Sequence, residues 1–184
     1  MSYLTNMQKQ AEIQEQTKPF VLLKCRERDL DNILYPPRVE DNLRIRTIRG
    51  KRCTTPERFF QEAAAAFQFP YYFGENWSAF DECINDLSWV QANDYIFALT
   101  DLDKVLVKED PKELETLFYL LDCAATSWST GQNQWIPGTP NQEKNSFSIW
   151  LHMEQDAKVS DHLQSIIQNK NIPIISIDPL DDVA

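Results

Sequence analysis

Apolar residues recur along this chain in two periods, and the two periods predict different elements. Phe20 to Cys25 (FVLLKC) is a short apolar run and predicts a strand. Leu43 to Ile48 alternates Leu, Arg, Ile, Arg, Thr, Ile, which predicts a half-buried strand with its arginines outward. Tyr95 to Thr100 (YIFALT) predicts a buried strand, Phe147 to Met153 (FSIWLHM) an alternating one, and Ile172 to Ile177 a last apolar one. Between these runs the spacing changes to threes and fours. Thr55-Pro56-Glu57 reads as a helix start, because Thr55 can cap and Pro56 suits the first helical position. That helix runs through FFQEAAAAF to about Phe67, and Pro70 stops it. A second helix begins after Gly74 with Asn76 as cap. Trp77, Phe80, Cys83, Ile84 and Leu87 form its apolar stripe, and Ser78, Asp81, Glu82, Asn85 and Asp86 form its other face. Such a helix lies on a sheet and shows its acids to solvent. Asp110-Pro111 opens a third helix to about Trp128, with Leu114, Leu117, Phe118, Leu121 and Ala125 as its stripe. Ser160 to Gln168 predicts a short helix with Leu163, Ile166 and Ile167 inward.

Strands alternating with helices favour an α/β fold with a mostly parallel sheet covered by helices. The connecting segments read as follows. Met1 to Lys18 is a polar, Gln-rich lead-in, Pro36-Pro37 forces an extended connection, and Gly50 turns the chain. Ser129 to Asn145 holds Gly131, Pro137, Gly138 and Pro140 and predicts a loop, and the tail from Pro179 is acidic and loose. At 184 residues, with no internal repeat, the expectation is a single domain over 1–184. The longest apolar runs, Ala63 to Phe67 and Ile172 to Ile177, fall far short of the ~20 residues of a membrane span. The N-terminus lacks the basic start and apolar core of a signal peptide. The expectation is a soluble, cytoplasmic protein without a membrane partner.

Charge changes the picture. The formal net charge is -10. That argues against a nucleic-acid binder, which needs a basic patch to neutralise phosphates. It permits a basic protein partner. The acids are also unevenly placed. From Phe59 to Asp103 there are eight acidic residues (Glu62, Glu75, Asp81, Glu82, Asp86, Asp94, Asp101 and Asp103) and no Lys or Arg. A field of one sign beside exposed aromatics suits a surface that docks onto a basic protein.

Catalytic and cofactor signals are missing. The four glycines, Gly50, Gly74, Gly131 and Gly138, build neither a GxGxxG nor a GxxxxGK[ST] loop, and no GxSxG elbow is present. Cys25, Cys53, Cys83 and Cys123 are scattered, and His152 and His162 lie far from all of them in sequence. Neither a zinc site nor a Cys-His dyad is supported by that spacing. No cofactor and no metal are expected. His152 falls on the strand face opposite Ile149, Leu151 and Met153, where a structural histidine is the simpler reading. Asp81 and Glu82 are adjacent on a helix, so they point about 100° apart and do not converge on one reacting atom.

The loop-helix segment FPYYFGENWSAFDECINDLSW (Phe69 to Trp89) resembles the barstar family, the protein inhibitors of barnase-type ribonucleases. The similarity spans roughly Leu43 to Met153. It takes in the lead LRIRTIRGKRCTTPERFFQEAAAAF, the strand YIFALT, the long helix ending at Trp128 and the strand FSIWLHM. Residues 1–42 and 154–184 are then extensions of a barstar-like core. The resemblance implies a non-enzymatic inhibitor or immunity-type protein that plugs a ribonuclease cleft one to one, with carboxylates in place of RNA phosphates. It places Tyr72 at the family's contact tyrosine, Asn76 and Trp77 at the helix start, Glu82 at the central phosphate-mimicking acid, and Asn85 at a rim position. Ser78 stands where the family has a second helix acid. Asp81 stands where the founding inhibitor has Trp, and could restore charge from a neighbouring direction. An acid of the third helix falls near Cys123, with Asp122 adjacent.

The implied partner-binding set is therefore Tyr72, Phe73, Glu75, Asn76, Trp77, Ser78, Asp81, Glu82, Asn85 and Asp86. Several of these have a second reading. Trp77 fits core as well as contact, Phe73 fits either, Asn76 is a cap first, and Gly74 needs a positive φ or a close approach. The departures at Ser78, Asp81 and Cys123 leave a competing function open, a barstar-fold interaction module retargeted to a non-nuclease partner.

Overall fold

Every strand expected from the apolar runs forms, and all of them enter one sheet. The computed structural model describes residues 19–35, 42–90, 92, 94–131 and 146–177. The strands are β1 (Phe20–Lys24), β2 (Leu43–Arg49), β3 (Asp94–Thr100), β4 (Ser146–Met153) and β5 (Ile174–Ser176). The helices are α1 (Glu27–Leu34), α2 (Pro56–Phe67), α3 (Trp77–Asp86), α4 (Pro111–Thr130) and α5 (Asp161–Asn169). The sheet order is β2-β3-β4-β1-β5, and each pairing is parallel. Leu43 registers with Asp94, Tyr95 with Phe147, and Phe20 with Ile149. The expected mostly parallel sheet is thus entirely parallel among the described residues.

Parallel strands need crossovers, and the crossovers explain the two cores. From β2 to β5 the chain moves one way along the sheet, and α2, α3, α4 and α5 all pack on one face. Their buried residues include Phe59, Phe67, Phe80, Phe118, Trp128 and Leu163, set against Phe97, Ile149 and Leu151. From β1 to β2 the chain moves the opposite way, with α1 on the other face. There Leu30, Ile33 and Leu34 meet Val21, Leu23, Ile96, Ala98 and Trp150. Reversing direction and face together keeps a single crossover hand. Sheet residues are buried on both sides, which is why β1 and β3 read as near-continuous apolar runs.

Several local expectations need correction. Helix α1 was not expected, because its eight residues carry only Leu30, Ile33 and Leu34 as an apolar stripe. It starts at a charge pair, in which Arg26 Nε donates to Asp29 Oδ2 at 2.5 Å and Asp29 is itself buried. On β2, Arg44 and Arg46 are half-buried rather than outward. They share the face of Ile48 and border Tyr95, so only Arg49 at the strand end is exposed. At an edge strand the long arginine stems cover apolar surface, and the Nε of Arg46 is itself buried. Thr55 occupies the cap position of α2 without a capping hydrogen bond. That helix ends at Gln68, whose left-handed backbone (φ 54°) returns its N–H to Ala64, two residues before Pro70. Helix α4 continues through Ser129 and Thr130 to a left-handed Gly131. The rest of the expected 129–145 loop, the 1–18 lead-in, the Pro36-Pro37 connection and the tail lie outside the described residues.

Two further constraints tie the layers together. A Cβ on Gly50 would lie 2.0 Å from the Thr100 carbonyl oxygen, so only glycine lets the end of β2 close against the end of β3. His152 is buried on the expected face, where its Nδ1 accepts from the Asp101 N–H at 3.5 Å and its Nε2 donates to the Cys25 carbonyl at 3.0 Å. Both ring nitrogens are therefore spent on backbone, which fits a structural role. Among the described residues no helix is long and apolar enough to cross a membrane, and no group of His, Cys, Asp or Glu could hold a metal ion.

Trp128 makes the core's most exacting polar contact. Its buried Nε1 donates to the Ile84 carbonyl at 3.0 Å. Ile84 sits in the last turn of α3, where carbonyls lose their helical partners. Trp128→Phe keeps the ring packing but strands that carbonyl. We expect a loss of roughly 1–3 kcal/mol in urea unfolding, with the slope of the transition unchanged.

Candidate partner-binding surface

The chain leaves α2 and makes one tight turn before α3. The Phe73 N–H donates to the Pro70 carbonyl at 2.9 Å, so Tyr71 and Tyr72 occupy the two central turn positions and project outward. Tyr71 is 100% exposed and Tyr72 65%, and their rings meet edge to face at 5.6 Å. The turn is anchored from below. Phe73 packs on Phe69 at 4.9 Å and on Phe60 at 6.2 Å, so it is a half-buried anchor. Tyr71 was not among the expected site residues. The resemblance singles out Tyr72, and only the turn geometry puts the two rings side by side.

Asn76 then fixes the start of α3. Its Oδ1 accepts from the Ala79 N–H at 2.9 Å, the expected cap, and its Nδ2 donates back to the Gly74 carbonyl at 2.9 Å. The close approach at Gly74 is to this amide, which a Cβ would meet at 3.0 Å. The left-handed residue is its neighbour Glu75, with φ 45°. A side chain in that conformation costs about 1–2 kcal/mol. The Asn76 clamp holds it there, with Glu75 and Asn76 both exposed. Trp77 is half-buried. Its ring packs on Phe60 at 4.9 Å and Phe59 at 5.5 Å, and its Nε1 donates to Glu113 Oε2 of α4 at 2.6 Å. It pins the helix start to α4.

Along α3, Ser78, Glu82 and Asp86 are exposed, whereas Asp81 and Asn85 are half-buried. The Asn85 Nδ2 donates to the Asp81 carbonyl at 2.9 Å and to Asp81 Oδ1 at 3.0 Å. This holds the Asp81 carboxylate along its own helix, one turn from Ser78. Burial raises the Asp81 carboxyl above its ordinary value. The neighbouring Glu82 charge adds to the rise, and the Asn85 bond partly offsets it. Among the described residues no Lys or Arg pairs with Glu75, Asp81, Glu82 or Asp86. Asp122, beside Cys123, is engaged by Lys170 Nζ at 2.9 Å and faces α5. The Cys83 thiol is pushed up to about 11 by burial and by Asp86 and Glu82, so it is no nucleophile. The strip displays charge and aromatic area and assembles no reacting pair.

Two substitutions separate its parts. Asn76→Ala removes the cap and the Glu75 clamp together, and should cost ~1 kcal/mol or somewhat more in chemical denaturation. Asp81→Asn keeps the acceptor for Asn85 and removes only the charge. A carboxyl raised in the folded state binds protons more tightly there than in the unfolded chain, so its burden on stability grows as pH rises through the folded value and vanishes below the unfolded 3.8. Asp81→Asn should therefore raise Tm modestly at pH 7 and leave it unchanged below the unfolded value.

The span from β2 through β4, with the turn and α3 at its centre, matches one known family. The family model Barstar (barnase inhibitor) covers residues 43–153. No curated protein matches the chain. More than half of the sequence lies within that match, and the strands and helices it contains pack as one face of the parallel sheet. The chain belongs to the Barstar family, the inhibitors of barnase.

Proposed function

We propose that this protein inhibits a basic, barnase-type ribonuclease one to one, by lodging the Tyr72–Asp86 surface in the nuclease's active cleft. The observation that supports it best is the pairing of exposed Tyr72 and exposed Glu82 on one pinned turn and helix with no cation of their own. A ribonuclease cleft is lined with positive groups to hold a polyanion. A carboxylate carried on a capped, packed helix reaches such a cleft with little conformational entropy left to lose. Tyr71 and Tyr72 add rigid aromatic area beside it, the residue type that dominates interface energetics. The excess of acids steers the encounter from a distance. Glu82 is the central phosphate mimic in this reading. Glu75 and Asp86 flank it, Ser78 and Asn85 lie at the rim, and Phe73, Asn76 and Trp77 hold the geometry. The protein acts in the cytoplasm, where it shields its producer from the nuclease. It takes no cofactor and does no chemistry of its own.

The position of Asp81 favours one variation on this theme, in which the charge absent at Ser78 is carried one turn on and fits a target cleft shaped differently from barnase's. A retargeted module with a non-nuclease partner is the competing outcome.

With a barnase-type ribonuclease encoded beside it, Glu82→Ala and Tyr72→Ala should each weaken inhibition by ~2–5 kcal/mol. Association should slow steeply as salt is raised. An unaltered inhibition constant for the double variant would remove this surface from the function. Recovery of some other protein in a pull-down, with no binding to the nuclease, would favour the retargeted module.

A further inference from the structure

We infer that β5 is a docking edge for a second copy of this chain, the two β5 strands pairing antiparallel about a two-fold axis and joining two sheets into one. Strand β5 lies at the opposite edge of the sheet from β2 and takes in no residue of the Tyr71–Tyr72 turn or of α3, so this pairing is independent of the inhibitor reading.

The backbone of β5 sets up the contact. The Leu22 N–H donates to the Pro173 carbonyl at 2.9 Å, and the Ile177 N–H donates to the Lys24 carbonyl at 2.9 Å. Leu22 registers with Ile174 and Lys24 with Ser176. In a parallel ladder those bonds commit Pro173, Ile175 and Ile177 to β1, and they leave the N–H and C=O of Ile174 and Ser176 aimed away from the sheet. Both residues are exposed, Ile174 to 53%, and among the described residues no strand pairs with that side.

Two properties select a second copy as the occupant. The edge is self-complementary. About a two-fold axis through Ile175, Ile174 of one copy lies opposite Ser176 of the other, and each such pair exchanges both of its backbone bonds. Ile175 then meets Ile175 of the second copy at the closer, non-hydrogen-bonded site, a β-branched pair of the kind that stabilises sheets. The edge is also uncharged. Strand β2, at the sheet's other edge, carries Arg44, Arg46 and Arg49 and would set like charges side by side in self-pairing, whereas β5 has no charged residue. The size of the contact sets its strength. Four backbone bonds, at one per ~100–200 Å², correspond to roughly 400–800 Å², below the ~1,200 Å² at which standard interfaces begin. The dimer is therefore weak and forms reversibly with concentration.

Sedimentation equilibrium of the full-length protein, from about 10 μM to about 1 mM, tests the edge. The average mass should climb from monomer toward dimer. It should climb further in added salt, because each copy carries a net charge of -10 and the pairing itself is neutral. Ser176→Pro deletes an outward N–H and spares the bonds to β1. Ile174→Glu puts a charge of the molecule's own sign on each strand of the pair. Each should raise the dimer Kd about tenfold or more, and Ser176→Ala, which keeps the backbone groups, should match wild type. Far-UV circular dichroism of each variant checks that it folds, and if Ser176→Pro does not, Ile174→Glu decides. A monomer at every concentration, or a dimer that Ile174→Glu leaves intact, would overturn the β5 pairing. Either result would spare the inhibitor reading, whose salt dependence runs the other way.

Discussion

The proposed function of this surface depends on holding one short helix still. Helix α3 has ten residues, fewer than an isolated helix needs to persist in water. It stays in place because it is fastened at both ends. At its start, Asn76 caps it and Trp77 ties it to Glu113. At its end, Trp128 takes the Ile84 carbonyl that the helix leaves open. Between them Phe80, Cys83 and Ile84 are buried. Both tryptophan bonds run to or from α4, so α4 is the frame against which α3 is aligned. A carboxylate on such a helix keeps its position before any partner arrives, and that pre-alignment distinguishes a plug from a merely acidic surface.

Among the described residues outside 43–153, β1, α1, α5 and β5 add to the sheet and its faces and leave the Tyr71–Tyr72 turn exposed. Without β1, strand β4 would end the sheet with a row of unpaired backbone groups, and an open parallel edge invites unwanted pairing. Strand β1 covers that edge through its pairing with β4, and the short β5 covers β1 in turn. Helix α1 covers the sheet face away from α3, so Val21, Leu23, Ile96 and Trp150 are all buried. Neither addition shields Tyr71, Tyr72 or Glu82, which remain exposed. Strands β1 and β5 and helix α1 thus turn a one-faced sheet into a doubly covered one behind the candidate surface.

How much of this was legible in the sequence follows the range of the interactions involved. Periodicity and caps are local signals, so the five strands, the Asn76 cap and the apolar stripe of α3 were all readable. Helix α1 was not, because two turns give a weak stripe and its buried Asp29 looks like a surface residue until Arg26 is seen beside it. The arginines of β2 misled for a related reason. Alternation tells that two faces differ, but which face meets the helices depends on the crossovers. At the site, the motif pointed to Tyr72 and Glu82. It could not show that the left-handed residue is Glu75 rather than Gly74, or that Asn85 bonds the Asp81 carboxylate. Those facts depend on side-chain bonds between residues that share no periodic signal.

Left-handed side-chain-bearing residues (Gln68, Glu75, Leu87, Asp101, Leu106, Asn171) and buried unpartnered polar atoms (on Arg46, Thr54, Asn85 and Trp150) are spread through the molecule, and some of these features fall at the candidate surface. Glu75 holds an unfavourable backbone, Asp81 and Glu82 repel one another, and the Oδ1 of Asn85 is buried without a hydrogen-bond partner. All three fall within Glu75 to Asn85, and the apolar side of the same helix ends at buried Leu87, whose backbone is also left-handed (φ 43°). A basic partner would relieve the charge conflict directly, because each cation placed beside Asp81 or Glu82 would remove a repulsion as well as add an attraction.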